Sequence, residues 1–69
     1  MQRTPVSSST IAEVGYDSGS MTLEIAFHSG GTYQYFDVPE SEFEGLMQAS
    51  SKGQYFHANI KDNYRYGKL

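Results

Sequence analysis

Two tyrosines near the middle of the chain are the first residues whose chemistry could serve a function. Tyr33 and Tyr35 lie two positions apart in the segment GGTYQYFDVPE, so their rings share one face of an extended chain. Aromatic rings displayed together on a sheet can stack nucleobases. Tyrosine is also a frequent strand residue, whose ring packs in a core while its hydroxyl reaches water. The sequence leaves both roles open, a binding surface or a part of the core.

A second candidate site begins at Ser51. Ser51, Lys52 and Gly53 precede Gln54, and this S-x-x-Q spacing is typical of a capping box that opens a helix. Free backbone N–H groups, the helix dipole and a lysine can together bind a phosphate or carboxylate, with His57 about one turn further on. The alternative is that Ser51 caps its own helix, which leaves fewer donors free. The segment does not match a P-loop, which has a longer glycine-rich stretch.

Positive charge is concentrated at the C-terminal end. The net charge is −3, yet Arg3 is the single basic residue among residues 1–51. The other four basic residues are Lys52, Lys61, Arg65 and Lys68. This asymmetry predicts that RNA or another polyanion would contact the C-terminal third. A basic end that serves only solubility would give the same pattern.

The sequence offers little for catalysis or for metal binding. His28 and His57 are isolated from each other, the chain has no cysteine, and no nucleophile motif surrounds its serines. Glu40, Glu42 and Glu44 are spaced by two, which spreads them around a helix instead of pairing them. We therefore expect a protein that is not an enzyme and that uses no metal or cofactor.

Length and composition limit the architecture. Sixty-nine residues make one domain, 1–69, in which we expect residues 1–5 to be loose. The ten aromatic residues are the obvious core material. The longest apolar run, residues 25–27, is too short for a signal peptide or a membrane helix, so we expect a soluble protein. The absence of cysteine is consistent with a cytoplasmic location.

Hydrophobic periodicity predicts three strands. Ala12, Val14 and Tyr16 alternate in the first, where Ile11 is in phase only if a bulge lies near Glu13; otherwise Ile11 covers the other side. The second strand runs over residues 21–27 and the third over residues 32–38. The turn at residues 17–20 would use Gly19 at positive φ, and residues 29–31 form a second glycine turn.

Two helices are predicted to follow. Pro39 suits the first position of one helix, which buries Phe43, Leu46 and Met47, and a second helix buries Phe56 and Ile60. Residues 63–69 are either a short final strand or a tail. The predicted fold is α+β, a three-stranded antiparallel meander packed on one face by two C-terminal helices. The expected core contacts join Leu23, Ile25 and Phe27 to Phe43, Leu46 and Phe56.

Several short motifs together resemble a known family. They are Val14-Gly15-Tyr16-Asp17, Gly31-x-Tyr33-x-Tyr35-x-x-Val38-Pro39, Ala49-x-Ser51-x-Gly53-x-x-Phe56 and Ile60-x-x-x-Tyr64. From about Val6 to Tyr66 the chain resembles the KTSC domain. That family is named after the C-terminal region of some lysyl-tRNA synthetases and also occurs as small free-standing proteins of bacteria and phages. The resemblance implies no catalytic residue, and its synthetase context suggests RNA binding.

Together these observations predict a small binding module that is not an enzyme. It would bind RNA or another phosphate-bearing ligand through its basic C-terminal third, with no role for a membrane. The alternative is a protein–protein interaction module that uses an exposed aromatic patch or a sheet edge. The residues predicted to form the binding site are Tyr33, Tyr35, Ser51, Lys52, Gly53, His57, Lys61, Arg65 and Lys68.

Overall fold

Five antiparallel strands form one sheet in which spatial order follows chain order. The structure, a computed structural model, describes all 69 residues. The strands are β1 (Arg3–Pro5), β2 (Ile11–Asp17), β3 (Thr22–Phe27), β4 (Thr32–Tyr35) and β5 (Tyr66–Lys68). Between β4 and β5 lie helix α1 (Glu40–Gln48) and helix α2 (Lys52–Tyr55), which continues as a π-helical segment (Phe56–Ile60). The α+β class with C-terminal helices is confirmed.

The sheet has more strands than the periodicity predicted. Instead of being loose, the N-terminal residues form β1, in which Arg3 pairs with Gly15 and Pro5 with Glu13. All three residues of β1 are exposed, so no alternation marked this strand, and side-chain contacts across the sheet hold it in place. Arg3 Nε lies 3.3 Å from a carboxylate oxygen of Glu13 and Arg3 Nη1 lies 3.4 Å from one of Glu24. The C-terminal segment, left open by the sequence, is the strand β5.

A β-bulge sets the register between β2 and β3. Ile11 lies opposite Phe27, whereas Val14 lies opposite Ile25, and the register shifts between Ile11 and Glu13. The extra residue brings Ile11 onto the same face as Val14. Both side chains are buried, so the bulge predicted near Glu13 is confirmed.

The two hairpin turns reach a positive φ at different residue types. Gly30 and Gly31 have φ of 102° and 91°, in agreement with the glycine turn predicted at residues 29–31. In the β2–β3 turn, Met21 and not Gly19 has the positive φ, 54°. The carboxylate of Asp17 organises this turn by accepting hydrogen bonds from Gly19 N at 3.2 Å and Ser20 Oγ at 2.8 Å. The prediction for Gly19 was therefore wrong.

The helices begin close to where their capping signals lie. Pro39 is the residue before α1 and not its first helical residue. Ser51 caps α2, because its hydroxyl accepts a hydrogen bond from Gln54 N at 3.3 Å. Phe56 and Ile60 of the π-helical segment are both buried. No helix of the protein is both long enough and apolar enough to cross a membrane.

The core lies between the helices and one face of the sheet. Leu23 and Ile25 are completely buried, as predicted, whereas Phe27 is half-buried and meets Phe56 edge to face, with ring centroids 5.3 Å apart. The core residues are Ile11, Val14, Leu23, Ile25, Tyr35, Val38, Leu46, Phe56 and Ile60. At the β4–β5 edge of the sheet, aromatic rings line the face that the helices cover.

Candidate binding site: an aromatic pocket

Tyr33 and Tyr35 both lie on the helix-covered face of the sheet. Tyr35 is opposite Leu23 on β3 and Tyr66 on β5, and Tyr33 is opposite Ile25. Tyr35 is only 4% exposed and belongs to the core, whereas Tyr33 is half-buried at its margin. The sequence left open whether these tyrosines are core residues or a binding surface, and the structure gives the two tyrosines different positions. Tyr35 is a core residue that also touches a pocket, and Tyr33 forms part of the pocket wall.

Five aromatic side chains surround a pocket of about 300 Å³, here called the aromatic pocket. They come from three strands and the π-helical segment and are Phe27, Tyr33, Tyr35, Phe56 and Tyr66. Lys61 and Asp62, which directly follow the π-helical segment, and the turn residues Ser29 and Gly30 complete the lining.

The rings of the pocket contact one another and leave one ring open to solvent. The Tyr66 centroid lies 5.7 Å from that of Tyr35 and 6.1 Å from that of Tyr33. These are ordinary distances for aromatic pairs. Tyr66 nevertheless remains 60% exposed, because it lies on the edge strand β5. Its ring therefore provides an aromatic surface for a ligand.

Hydroxyl groups add polarity to this aromatic wall. Three hydroxyls donate a hydrogen bond to a protein acceptor, those of Tyr16, Tyr55 and Tyr64. The other three tyrosine hydroxyls, of Tyr33, Tyr35 and Tyr66, have no protein partner. No buried side-chain polar atom in the protein lacks a hydrogen-bond partner, so these three hydroxyls are in contact with solvent. They can donate to a ligand or accept from one.

The charges near the pocket are of both signs. Lys61 and Asp62 line it, and Lys68 Nζ lies 6.0 Å from the ring centroid of Tyr33. Burial raises the pKa of Tyr35 to about 12, and the neighbouring phenols and the Asp62 carboxylate add to that rise. Tyr35 is therefore a neutral phenol at physiological pH, with its proton available for donation.

The residues of the predicted phosphate site lie elsewhere. Ser51, Lys52 and Gly53 line a separate groove of about 390 Å³, the serine groove, together with Ser7, Ser8, Ser9 and Ser50. Lys52 Nζ donates to the carbonyl oxygen of Ala49 at 3.1 Å, and Ser51 caps α2. A Cβ on Gly53 would lie 3.0 Å from the Thr10 hydroxyl. Close packing thus accounts for Gly53, and capping accounts for Ser51.

The two remaining predicted residues lie outside both cavities. Arg65 forms an ion pair with Asp37 at 2.8 Å, and its guanidinium lies 5.6 Å from the ring centroid of Phe36. His57 is exposed, with its ring centroid 5.6 Å from that of Phe56. Of the four C-terminal cations, Lys61 and Lys68 are therefore the two beside the aromatic pocket.

Sequence reasoning named Tyr55 or Tyr66 as an aromatic on which a base could stack, but it did not assign Phe27, Phe56 or Asp62 to a site. Phe27 and Phe56 were assigned to the core, and the pairing of Tyr66 with Tyr35 joins residues 31 positions apart. Only the register between β4 and β5 brings these two rings together. A composition signal did exist, because two aromatic residues are interspersed among four charged residues over residues 61–68.

Other parts of the surface are less suited to an anionic ligand. The largest depression, about 550 Å³, lies between the N-terminal segment and α1, and Asp17 has the one charged side chain that lines it. No group of three histidine, aspartate or glutamate side chains is placed to hold a metal ion. The aromatic pocket is therefore the cavity that combines stacking surfaces with positive charge.

Relatives of the chain agree with this architecture. It is 47% identical to a KTSC domain protein from Yersinia pestis, whose crystal structure superposes with a TM-score of 0.97 over 99% of this chain and 96% of that one. A lysine–tRNA ligase of Trichormus variabilis is 48% identical over 61 residues, which are 88% of this chain. The chain spans only 11% of the length of that ligase.

Small proteins of similar length are also related. A protein of Tsukamurella paurometabola is 38% identical over 88% of this chain and 91% of its own length. An uncharacterized protein of Stutzerimonas stutzeri is 36% identical over the whole chain and 99% of its own length. The sequence profile described as KTSC domain matches residues 7–64. The chain therefore belongs to the KTSC domain family.

Proposed function

We propose that this protein is a non-enzymatic binding module for single-stranded RNA, with one base held at the aromatic pocket. The observation that carries the proposal is the meeting of exposed aromatic surface with two lysines. Tyr66 is 60% exposed, Lys61 lines the same pocket and Lys68 lies beside Tyr33. Aromatic side chains stack unpaired bases, and lysines contact the phosphates on either side.

The relatives support an RNA ligand over other polyanions. The domain is shared with proteins named lysine–tRNA ligase, which are 43% to 48% identical to this chain over most of its length. A domain that recurs beside a tRNA-dependent activity and as a free-standing protein is suited to a general contact with RNA. Stacking on an aromatic ring contributes about 1–3 kcal/mol per base without strong sequence preference.

The number of available cations predicts weak, mildly salt-dependent binding. Single-stranded nucleic acid loses affinity with salt at a log–log slope of about −0.7 for each phosphate contact. Lys61 and Lys68 would give a slope near −1.4, whereas all four C-terminal cations would give about −2.8. Because Arg65 already pairs with Asp37 and Lys52 lies in the serine groove, the smaller slope is expected.

A titration of the isotope-labelled protein with a short single-stranded oligoribonucleotide at low salt tests the proposal. We expect NMR shifts at Tyr33, Lys61 and Tyr66 and their neighbours. The double variant Lys61→Ala/Lys68→Ala should weaken binding, and Lys52→Ala is the matched control because its side chain lies in the serine groove. Absence of shifts at millimolar RNA, or shifts confined to the serine groove, would refute the proposal.

A protein partner is the second candidate function. Leu69, which directly follows the edge strand β5, is 67% exposed, and Tyr66 on that strand is 60% exposed. An extended peptide could pair with this edge and cover both side chains. Such binding would change little with salt, because apolar contacts and backbone hydrogen bonds dominate it. A partner whose affinity is unchanged between low and high salt would favour this candidate over RNA.

A further inference from the structure

The acidic residue of the aromatic pocket has no partner within the protein. Asp62 lines the pocket, whereas the ion pairs of the structure involve Glu13, Glu24 and Asp37. The Asp62 carboxylate makes a small contribution to the raised pKa of Tyr35, after burial and the neighbouring phenols. The Asp62 carboxylate reduces the attraction of the two lysines for a phosphate. Because an ionised carboxylate only accepts hydrogen bonds, its position favours a ligand that also carries hydrogen-bond donors.

We propose that the aromatic pocket selects a guanine base, with Asp62 accepting hydrogen bonds from its Watson–Crick edge. This inference rests on the proposed RNA-binding function and names the base that the pocket prefers. The pocket volume of about 300 Å³ is at the small end of ligand sites. Because the rings of Tyr33, Tyr35 and Tyr66 already contact one another, the base stacks on their exposed faces and does not insert between them.

Hydrogen-bond chemistry distinguishes guanine from the other bases. An ionised carboxylate is an acceptor only, with two oxygens. Guanine presents two adjacent donors, N1–H and the 2-amino group, which match those oxygens. Adenine and cytosine each present one amino donor beside an acceptor nitrogen, and uracil presents one N–H between two carbonyl oxygens. The free hydroxyl of a pocket tyrosine can donate to the O6 or N7 acceptors of guanine.

The two lysines beside the aromatic pocket disfavour a cationic ligand. Aromatic rings with a nearby carboxylate can bind a quaternary ammonium group. In this pocket, however, Lys68 Nζ already lies 6.0 Å from the Tyr33 ring centroid, and Lys61 lines the wall. Two ammonium groups would repel a third. A nucleotide complements both the positive and the negative side chains, with its phosphate near the lysines and the hydrogen-bond donors of its base at Asp62.

Titrations with single nucleotides test the inference without a defined RNA. Guanosine, inosine and uridine 5′-monophosphates are each added to the folded protein, and binding is followed by NMR. We expect guanosine monophosphate to bind about tenfold more tightly than uridine monophosphate, as one bidentate contact provides. Inosine monophosphate, which lacks the 2-amino group, should fall between them.

Variants separate base recognition from net charge. Asp62→Asn should reduce the ratio of guanosine to uridine monophosphate affinities to about threefold or less, because the amide offers one acceptor and a competing donor. Glu44→Gln removes a negative charge from an exposed position on α1 and should leave that ratio unchanged. Both variants should retain the dispersed amide spectrum of the folded protein.

The outcomes separate this inference from the proposed function. Equal affinities for the guanosine and uridine nucleotides, or a preference that survives Asp62→Asn, overturn guanine selection while RNA binding at the pocket stands. If neither nucleotides nor oligoribonucleotide shift the pocket residues, both the inference and the proposed function fail. A guanosine preference that is lost in Asp62→Asn and kept in Glu44→Gln supports the inference.

Discussion

The six tyrosines of the protein divide into two sets of three that do different work. One set, the bonded tyrosines, uses its hydroxyls to hold the fold together; it consists of Tyr16, Tyr55 and Tyr64. The other set, the pocket tyrosines, has hydroxyls without a protein partner and lines the aromatic pocket; it consists of Tyr33, Tyr35 and Tyr66. The same residue type is therefore a structural link in one region and the lining of an open pocket in another.

Two of the bonded tyrosines, Tyr55 and Tyr64, meet on one carboxylate of α1, whereas Tyr16 donates to the carbonyl oxygen of Val38. Glu42 Oε1 accepts from the Tyr55 hydroxyl at 2.6 Å, and Oε2 accepts from the Tyr64 hydroxyl at 2.8 Å. These bonds tie α1 both to α2 and to the chain leading into β5. Gly45 makes room for this arrangement, because a Cβ there would overlap the hydroxyl of Tyr55. A hydrogen bond to a charged acceptor is worth about 1.5–3 kcal/mol, so Glu42 is a stabilising centre.

The contrast shows what distinguishes a structural tyrosine from an available one. In the bonded set, each hydroxyl meets an acceptor from a distant part of the chain. In the pocket set, ring packing is complete for Tyr35 but the hydroxyl finds no protein acceptor. Polar groups that the fold leaves without a protein partner are the ones that a ligand can use.

Removing the shared carboxylate should have the largest effect. Glu42→Ala leaves two partly buried hydroxyls without their acceptor, and we expect the free energy of unfolding to fall by about 2–3 kcal/mol. For a domain of this size that corresponds to a Tm lower by roughly 10–20 °C. Glu44→Ala is the matched control, because Glu44 is an exposed residue of the same helix. Equal melting of both variants would show that the hydrogen bonds of Tyr55 and Tyr64 to Glu42 do not stabilise the fold.

The sequence predicted those parts of the fold that depend on local pattern. Alternation marked β2 and β3, and aromatic and β-branched composition marked β4. The S-x-x-Q spacing marked the cap at Ser51, which the structure confirms. The strand β1 was missed, because three exposed residues carry no alternation and its pairing is held by contacts of Arg3 with the middle of the sheet. Nothing local indicated those contacts.

The candidate site was less predictable than the fold. Tyr33 and Tyr35 were recognised as a pair, but their shared partner Tyr66 becomes visible only through the β4–β5 register. The C-terminal cations looked like one patch in the sequence, yet the structure separates Lys61 and Lys68 from Arg65, which pairs with Asp37. Charge counts along a chain do not tell which charges are already neutralised across the fold.

Alkaline pH should remove the stabilising contribution of Tyr64, one of the bonded tyrosines. Burial, followed by the hydrogen bond to Glu42, raises the pKa of Tyr64 to about 12, whereas an unfolded tyrosine has a pKa near 10. The folded state thus holds this proton more tightly, so the associated stability is present below pH 10 and is lost as pH rises through about 12. Tyr64→Phe should cost about 1.5 kcal/mol at neutral pH, the lower end of the range for a hydrogen bond to a charged acceptor.

The measurement is thermal melting of both proteins from pH 8 to pH 12. The Tm advantage of the natural protein over Tyr64→Phe should narrow above pH 10, because the variant has no phenol at this position to titrate. Tyr35, whose pKa is also raised to about 12 by burial, is present in both proteins and cancels in the comparison. Parallel pH profiles for the two proteins would contradict the assignment of this pH dependence to Tyr64.

The smallest effect on stability is expected for the most exposed pocket tyrosine. Tyr66→Thr keeps a good strand residue on β5 and removes a ring that is 60% exposed and whose hydroxyl has no protein partner. We expect the free energy of unfolding to change by no more than about 0.5 kcal/mol, as for other surface substitutions. Binding of RNA should nevertheless be weakened by about 1–3 kcal/mol, the contribution of one stacked base.

This prediction separates the two sets most sharply, because it requires stability and binding to change independently. Glu42→Ala should lower the Tm and, at a temperature where it is folded, bind RNA as the natural protein does. Tyr66→Thr should do the reverse. If Tyr66→Thr lowered the Tm as much as Glu42→Ala, its contacts with Tyr33 and Tyr35 would be structural. If it melted normally and bound RNA normally, the base would not stack on Tyr66, and the exposed ring would have to serve another partner.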